Sequence, residues 1–291
     1  MVISGGYGFE CRRSSLVEVI SGDSKLKWQL PNLPMQFQSK DAMASQGNLI
    51  FQHDGFILMC GGWQWQCLIY IEGIWKVHSI LNHGRYLASV VTTRFGTYIF
   101  GGYFSPKTYE YLPSSIDSRT WQLGKTEIPD GFQHGCAIAI KSDQYILLIG
   151  GSKTRNRILC FDVLNKTFTE YPTRLEVGRS GHRCCMIPGT RKVMITGGLR
   201  TMNSTEILDT TDQSIEIGSM LNLARYDHGI GVLTINSMDR IAVFGGYDWK
   251  KTLNSVEIYN PQTKTWEISD IEIKEARAGF GFLNVQLWQL D

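Results

Sequence analysis

Six histidines stand in this chain of 291 residues, and three of them, His134, His182 and His228, recur at steps of 48 and 46 residues. Neutral imidazole is a common metal ligand, and three imidazoles suffice for an open zinc site that activates water. Ligands must converge on one ion, however. Residues that recur once per structural repeat are held apart by the repeat itself, so a packing role in each repeat is the better reading. The seven cysteines (11, 60, 67, 136, 160, 184 and 185) form no C-x-x-C pair and no His/Cys zinc spacing. Several lie in apolar runs, such as Cys60 in FILMCGG and Cys136 in HGCAIAI. Buried, reduced thiols are expected, with no disulfide and no catalytic metal. The sequence holds no G-x-S-x-G elbow, H-E-x-x-H helix or Walker loop. Its Gly-Gly pairs precede no helical pattern, so they are not dinucleotide loops, and no cofactor is implied.

Composition narrows the partners. Net charge is +2 and the isoelectric point about 8.1. Without a concentrated basic patch, that balance argues against nucleic acid and against an anionic membrane surface. No apolar run approaches the ~18 residues of a membrane helix. The N-terminal MVISGGYGFECRR lacks the apolar core and cleavage site of a signal peptide. A cytoplasmic protein is expected, with a secreted form whose leader lies outside this sequence as the alternative.

The elements that position these residues follow from an internal repeat. A Gly-Gly pair ends an apolar strand six times, at Gly5–Gly6, Gly61–Gly62, Gly101–Gly102, Gly150–Gly151, Gly197–Gly198 and Gly245–Gly246. Steps between second glycines are 56, 40, 49, 47 and 48 residues. Two apolar runs joined by a polar turn precede each pair, and a third run follows. A fourth carries an aromatic: Trp28, Trp75, Trp121, Phe168 and Trp266, with Ile215 in the fifth repeat. Four short strands at this period make a propeller blade. The runs before the glycines are continuously apolar, as strands buried on both faces must be. The closing ARAGFGFLNVQLWQL reads as a first strand that completes the blade begun by VISGG. Such closure removes the exposed sheet edges at the seam.

The double glycine followed by an aromatic strand resembles the kelch repeat, over essentially the whole chain. The expected fold is therefore all-β: a single six-bladed kelch propeller over 1–291, with four antiparallel strands per blade. Approximate blades are 277–291 plus 1–34, then 35–83, 84–130, 131–177, 178–223 and 224–276. The family often places Arg at the junction between blades. Arg85, Arg179, Arg225 and Arg277 match that place, whereas the second and fourth repeats begin MQFQSKD and GFQHG and depart from it.

In the family, residues just after Gly-Gly and residues at the start of each first strand converge on one face. Here these are Tyr7, Trp63, Tyr103, Ser152, Leu199 and Tyr247, and Arg85, Tyr86, Arg179, Arg225, Tyr226 and Arg277. Tyr, Trp and Arg are enriched at interface hot spots, and Arg grips carboxylates bidentately. The expected site is thus a partner-binding face of Trp63, Tyr86, Tyr103, Arg179, Arg225, Tyr226, Tyr247 and Arg277. Its expected ligand is a peptide or loop of a protein, acidic in character, with the arginines divided between partner contact and blade-junction hydrogen bonds. The resemblance also implies looser links: ubiquitin-ligase adaptors that carry BTB and BACK domains, and actin-binding proteins. Its enzyme branches are sialic-acid mutarotases, copper radical oxidases and the plant nitrile-specifier proteins. EIPDGFQH, with Glu127, Asp130 and His134, falls one residue short of the iron motif of that last group. A non-catalytic binding module is the leading expectation.

Overall fold

The computed structural model describes residues 1–8, 14, 16–20, 28–33, 47–62, 65–115 and 118–284. Its strands form six sheets of four. Blade 1 holds β1 (Val2–Ser4), β2 (Val17–Val19) and β3 (Trp28–Leu30). Blade 2 holds β4 (Asn48–His53), β5 (Phe56–Gly61), β6 (Gln66–Ile71) and β7 (Ile74–Ile80). Blade 3 holds β8 (Ser89–Thr93), β9 (Gly96–Phe100), β10 (Tyr109–Pro113) and β11 (Gln122–Leu123). Blade 4 holds β12 (Cys136–Ile140), β13 (Tyr145–Ile149), β14 (Ile158–Asp162) and β15 (Thr167–Glu170). Blade 5 holds β16 (Arg183–Met186), β17 (Lys192–Thr196), β18 (Thr205–Asp209) and β19 (Ile215–Gly218). Blade 6 holds β20 (Gly229–Ile235), β21 (Met238–Phe244), β22 (Ser255–Asn260) and β23 (Thr265–Glu272). The last strand, β24 (Gly281–Leu283), returns to blade 1 and pairs antiparallel with β1, matching Val2 with Leu283 and Ser4 with Gly281. The ring closes as its repeat required.

The inner strands β4, β8, β12, β16, β20 and β24 each touch the next around the ring. The second strands are buried on both faces: every residue of β9 is buried, as are Ile146 to Ile149 of β13. Apolar clusters fill the gaps between neighbouring blades. One joins Phe100 and Tyr109 of blade 3 to Ile146, Leu148 and Phe161 of blade 4. Fourth-strand aromatics tie blades together as well. The Trp75 indole N–H donates to the Pro31 carbonyl of blade 1 at 3.0 Å, and Trp121 donates to the Ser79 hydroxyl of blade 2 at 3.0 Å.

The double glycines act as joints. The first glycine lies under the backbone of the next blade: a methyl group on Gly150 would sit 2.9 Å from the Arg179 carbonyl and 2.8 Å from His182 Cε1. The second donates its N–H to the same carbonyl, as in Gly151 to Arg179 at 2.9 Å and Gly246 to Arg277 at 2.9 Å. With φ of +58° at Gly150 and +108° at Gly151, both positions also favour a residue without Cβ.

Two disulfides correct the expectation of reduced thiols. Cys60–Cys67 joins β5 to β6 within blade 2, and Cys136–Cys184 joins β12 of blade 4 to β16 of blade 5. Sequence spacing did not reveal them because pairing depends on which strands lie side by side. Cys160 and Cys185 are free thiols, and Cys11 lies outside the described residues. No helix among the described residues is long and apolar enough to cross a membrane.

Candidate functional site: the loop face and channel mouth

The two predicted loop sets meet on one face, joined in pairs by backbone hydrogen bonds. Tyr7 pairs with Ala278, and Tyr226 with Tyr247, in both directions; Tyr103, Ser152 and Leu199 donate to Tyr86, Gln133 and Ser180. A second set of bonds runs around the mouth of the central channel. His134 N–H donates to Leu87, Gly181 to His134, Asp227 to Gly181, Gly279 to Asp227 and Gly47 to Gly279, all between 2.7 and 2.9 Å. These six residues, one per blade, share left-handed backbone geometry with φ from +52° to +67°. Glycine takes that geometry freely and Asp and His tolerate it, whereas Leu87 adopts it at a cost.

The channel behind this belt is a cavity of about 710 Å³ lined by all six inner strands. At its mouth His134 Nε2 lies 2.6 Å from Asp227 Oδ1, and Arg183 Nη2 is 3.8 Å from the same oxygen. The contact spans blade 5, because Gly181 beneath it has no side chain: a methyl there would lie 2.9 Å from His134 Nε2. Burial pushes the Asp227 carboxyl up, but His134 and Arg183 outweigh it and hold the group below its ordinary value. Burial, and then the Asp227 charge, push the Tyr226 hydroxyl up to about 12. Tyr7 is raised for the same reasons, so both hydroxyls keep their protons and can donate.

The structure sorts the predicted site residues. Tyr103 is 58% exposed, while Tyr86, Tyr226 and Tyr247 are half-buried. Tyr226 and Tyr247 stack edge to face at 5.6 Å. Trp63 lies outside the described residues. Arg179, Arg225 and Arg277 are corrected: with Arg85 they are all but wholly buried and belong to the framework. Arg225 donates to the Gly245 carbonyl at 2.7 Å and to Glu257 at 2.7 Å. Arg85 pairs with Glu110 at 2.8 Å, Arg277 with Glu18 at 2.8 Å, and Arg179 with Glu206. Each guanidinium satisfies strand-end carbonyls and a buried carboxylate of its own blade, so no donor is offered to a partner on the surface.

The three histidines are separated, but only two share a register. His182 and His228 lie against the first glycines Gly150 and Gly197, whereas His134 holds the belt place of Gly181 and Asp227, which corrects the expectation that all three match. His134 meets Asp227, His228 Nε2 meets the Thr196 hydroxyl at 2.7 Å, and His182 packs against Gly150. In the EIPDGFQH stretch, Asp130 pairs with Arg157 and Glu127 lies 3.9 Å from Lys107. These three side chains take separate partners, and no group of three potential metal ligands converges among the described residues.

Sequence reading missed Trp65, Phe104 and Trp249, which are 54%, 48% and 57% exposed in the loops after the glycines. The strings WQW, YF and YDW carried that signal. Nothing in the sequence marked Arg183 or Asp227, whose proximity depends on blades 5 and 6 lying next to each other. The face is divided. Aromatics project from blades 2, 3 and 6, whereas blades 4 and 5 present exposed Lys153, Arg155 and Arg200.

Comparison with known proteins agrees with this architecture. Residues 239–268, which run from β21 to β23 of blade 6, match the kelch motif. A human Rab9 effector protein with kelch motifs is 28% identical over 102 residues, covering 32% of this chain. That match spans 27% of the relative's own length. Six blades, each with its Gly-Gly joint, and a motif match within blade 6 lead to one assignment: the chain is a six-bladed β-propeller that carries a kelch motif.

Proposed function

We propose that this propeller is a non-catalytic protein-binding module that takes a peptide or loop of a partner on its loop face. The observation that carries the reading is the set of exposed aromatics there: Trp65, Tyr103, Phe104 and Trp249. Large aromatics left in water on rigid loops are what interfaces bury, and they supply most of the energy of hot spots. Beside them, Lys153, Arg155 and Arg200 suit acidic groups on the partner, which would speed association in a salt-dependent way. The arginines first expected to do this are occupied in the framework, so the electrostatic role passes to exposed cations. The name of the human relative, an effector with kelch motifs, fits a binding role. The test is partner capture by wild-type protein and by a Tyr103→Ala/Trp249→Ala double variant of unchanged melting temperature. Loss of the captured partner supports the face, and undiminished capture refutes it.

One observation favours a second, enzymatic reading. His134 and Asp227 form a close acid–base pair at the mouth of a cavity large enough for a sugar. Anomer exchange of sialic acid followed by NMR decides it. Acceleration by the wild type that is lost in His134→Ala would establish catalysis; exchange at the buffer rate leaves binding alone.

A further inference from the structure

Four blades share one buried clamp. A third-strand glutamate (Glu18, Glu110, Glu206 or Glu257) takes the guanidinium of the junction arginine (Arg277, Arg85, Arg179 or Arg225). The same carboxylates also accept backbone N–H groups from the junction, as Glu257 does from Asn222 at 2.6 Å and Leu223 at 3.0 Å. Blade 4 has Phe132 and Leu159 at these two positions, both buried in one apolar cluster. In blade 2 the glutamate position, opposite Met59, is Leu68, which leaves no carboxylate there to hold an arginine.

The disulfides fall on these two blades. Cys67 is the neighbour of Leu68, and Cys60 is the neighbour of Met59, so one bond lies beside the absent clamp of blade 2. Cys136 stands four residues after Phe132 and two after His134, and its partner Cys184 follows Arg183. The second bond therefore ties blade 4 to blade 5 directly under the His134–Asp227–Arg183 contact. Burial raises the free thiols Cys160 and Cys185, the latter to about 12, which keeps both from attacking as thiolates.

We infer that the two disulfides are redox-dependent substitutes for the missing Arg–Glu clamps, and that the Cys136–Cys184 bond controls the order of the channel mouth. A dithiol reductant opens such a bond through a mixed disulfide. Its two thiols become a disulfide while the protein sulfurs take up two electrons and two protons. The two bonds differ in access. Both pairs are buried in apolar clusters, but Cys136 and Cys184 also line the central channel and are 7% and 9% exposed, against 2% and 0% for Cys60 and Cys67. Reduction therefore starts at Cys136–Cys184. It frees the inner strands of blades 4 and 5 just below His134 and Arg183, and with them the basic sector of the loop face.

The test uses the whole chain, released from its expressing cells directly into alkylating agent and never exposed to reductant. Alkylation under denaturing conditions should label Cys160 and Cys185 and leave Cys60, Cys67, Cys136 and Cys184 unlabelled. Stepwise treatment of the folded protein with a dithiol should first add two labels, placed by peptide mapping on Cys136 and Cys184, and only later two more, on Cys60 and Cys67. After the first step, amide hydrogen exchange in 131–140 and 180–187 should quicken about tenfold, while blades 3 and 6 stay as they were. A Cys136→Ser/Cys184→Ser variant should show the faster exchange without any reductant. If that variant does not fold, stepwise reduction of the wild type remains the deciding measurement. Labels on Cys60, Cys67, Cys136 and Cys184 in untreated protein, first opening at Cys60–Cys67, or exchange that quickens equally in all blades would each overturn the inference.

Discussion

In blade 6 the junction residue is Arg225, which caps the Gly245 carbonyl and neutralises Glu257, with both side chains fully buried. In blade 4 the same place holds Phe132, in one apolar cluster with Leu159. Among the described side chains the Gly150 carbonyl accepts from the Thr154 hydroxyl alone, whereas in blade 5 the Gly197 carbonyl accepts from both Thr201 and Arg179. Both junctions carry the same backbone joint, since Phe132 accepts from Gly102 as Arg225 does from Gly198. The difference shows what the ion pair contributes. Taking two charges out of water costs about as much as their attraction returns, so an apolar pair of similar volume can replace them without loss. What cannot be replaced cheaply is one partner alone. The clamp therefore fixes which strand ends meet, and the apolar blade reaches the same geometry with an apolar pair and a disulfide.

The largest predicted effect breaks the clamp on one side only. Arg225→Ala strands Glu257 in a dry junction and should cost roughly 3–5 kcal/mol in urea unfolding. Arg225→Phe/Glu257→Leu, which copies blade 4 into blade 6, should recover most of that loss. If the double variant is as unstable as the single one, the two kinds of blade are not equivalent and the comparison fails.

Next in size come the disulfides. By the chain-entropy estimate, removing Cys136–Cys184, which closes a loop 48 residues apart in sequence, should cost about 4 kcal/mol. Removing Cys60–Cys67, only 7 residues apart, should cost about 2.5 kcal/mol on the same estimate. Equal losses would mean that native-state packing, not loop closure, governs both.

These junctions also mark how far the sequence could be read. Blade number, strand order and the β24–β1 seam were legible because each rests on a period of glycines and apolar runs. That Arg225 recurs was legible too, but its direction was not. An arginine at a strand start reads alike whether its guanidinium turns inward to Glu257 or outward to a partner. The deciding residue lies some 30 positions away on the third strand. Cys136 and Cys184 illustrate the same limit, since only stacking of β12 beside β16 brings them together.

A smaller effect separates the histidines from the clamps. Burial, and then the nearby arginines, hold His182 and His228 well below their ordinary value of 6.5, so both rings are neutral in the folded chain. The unfolded chain protonates them near pH 6.5, and the folded chain resists. Their contribution to stability is therefore complete above pH 6.5 and shrinks as pH falls below it. Each accounts for at most about 1.4 kcal/mol per pH unit. Melting temperature should decline from pH 7 to pH 5, and His228→Gln should flatten the decline. The Asp227 carboxyl has the depressed value of a paired acid, so its contribution is lost only in more acidic solution. A flat profile between pH 7 and 5 would refute the neutral, buried assignment of both rings.

The smallest effect on stability is also the one that bears on function. Tyr103 and Trp249 project from loops after the Gly-Gly joints of blades 3 and 6, and both are more than half exposed. Truncating them removes little that folding has buried. Tyr103→Ala and Trp249→Ala should each shift unfolding by no more than about 0.5 kcal/mol. If the loop face takes a partner, the same truncations should weaken its capture by about 2 kcal/mol each where the aromatic is a hot spot. The contrast with Arg225→Ala is then complete, because that change attacks the fold and reaches binding only through it. Arg200→Ala sharpens the comparison within the face. It should leave stability unchanged and lower the association rate for an acidic partner more at low salt than at high salt. A partner whose association rate is indifferent to Arg200 and to salt would place the contact wholly on the aromatic side of the ring.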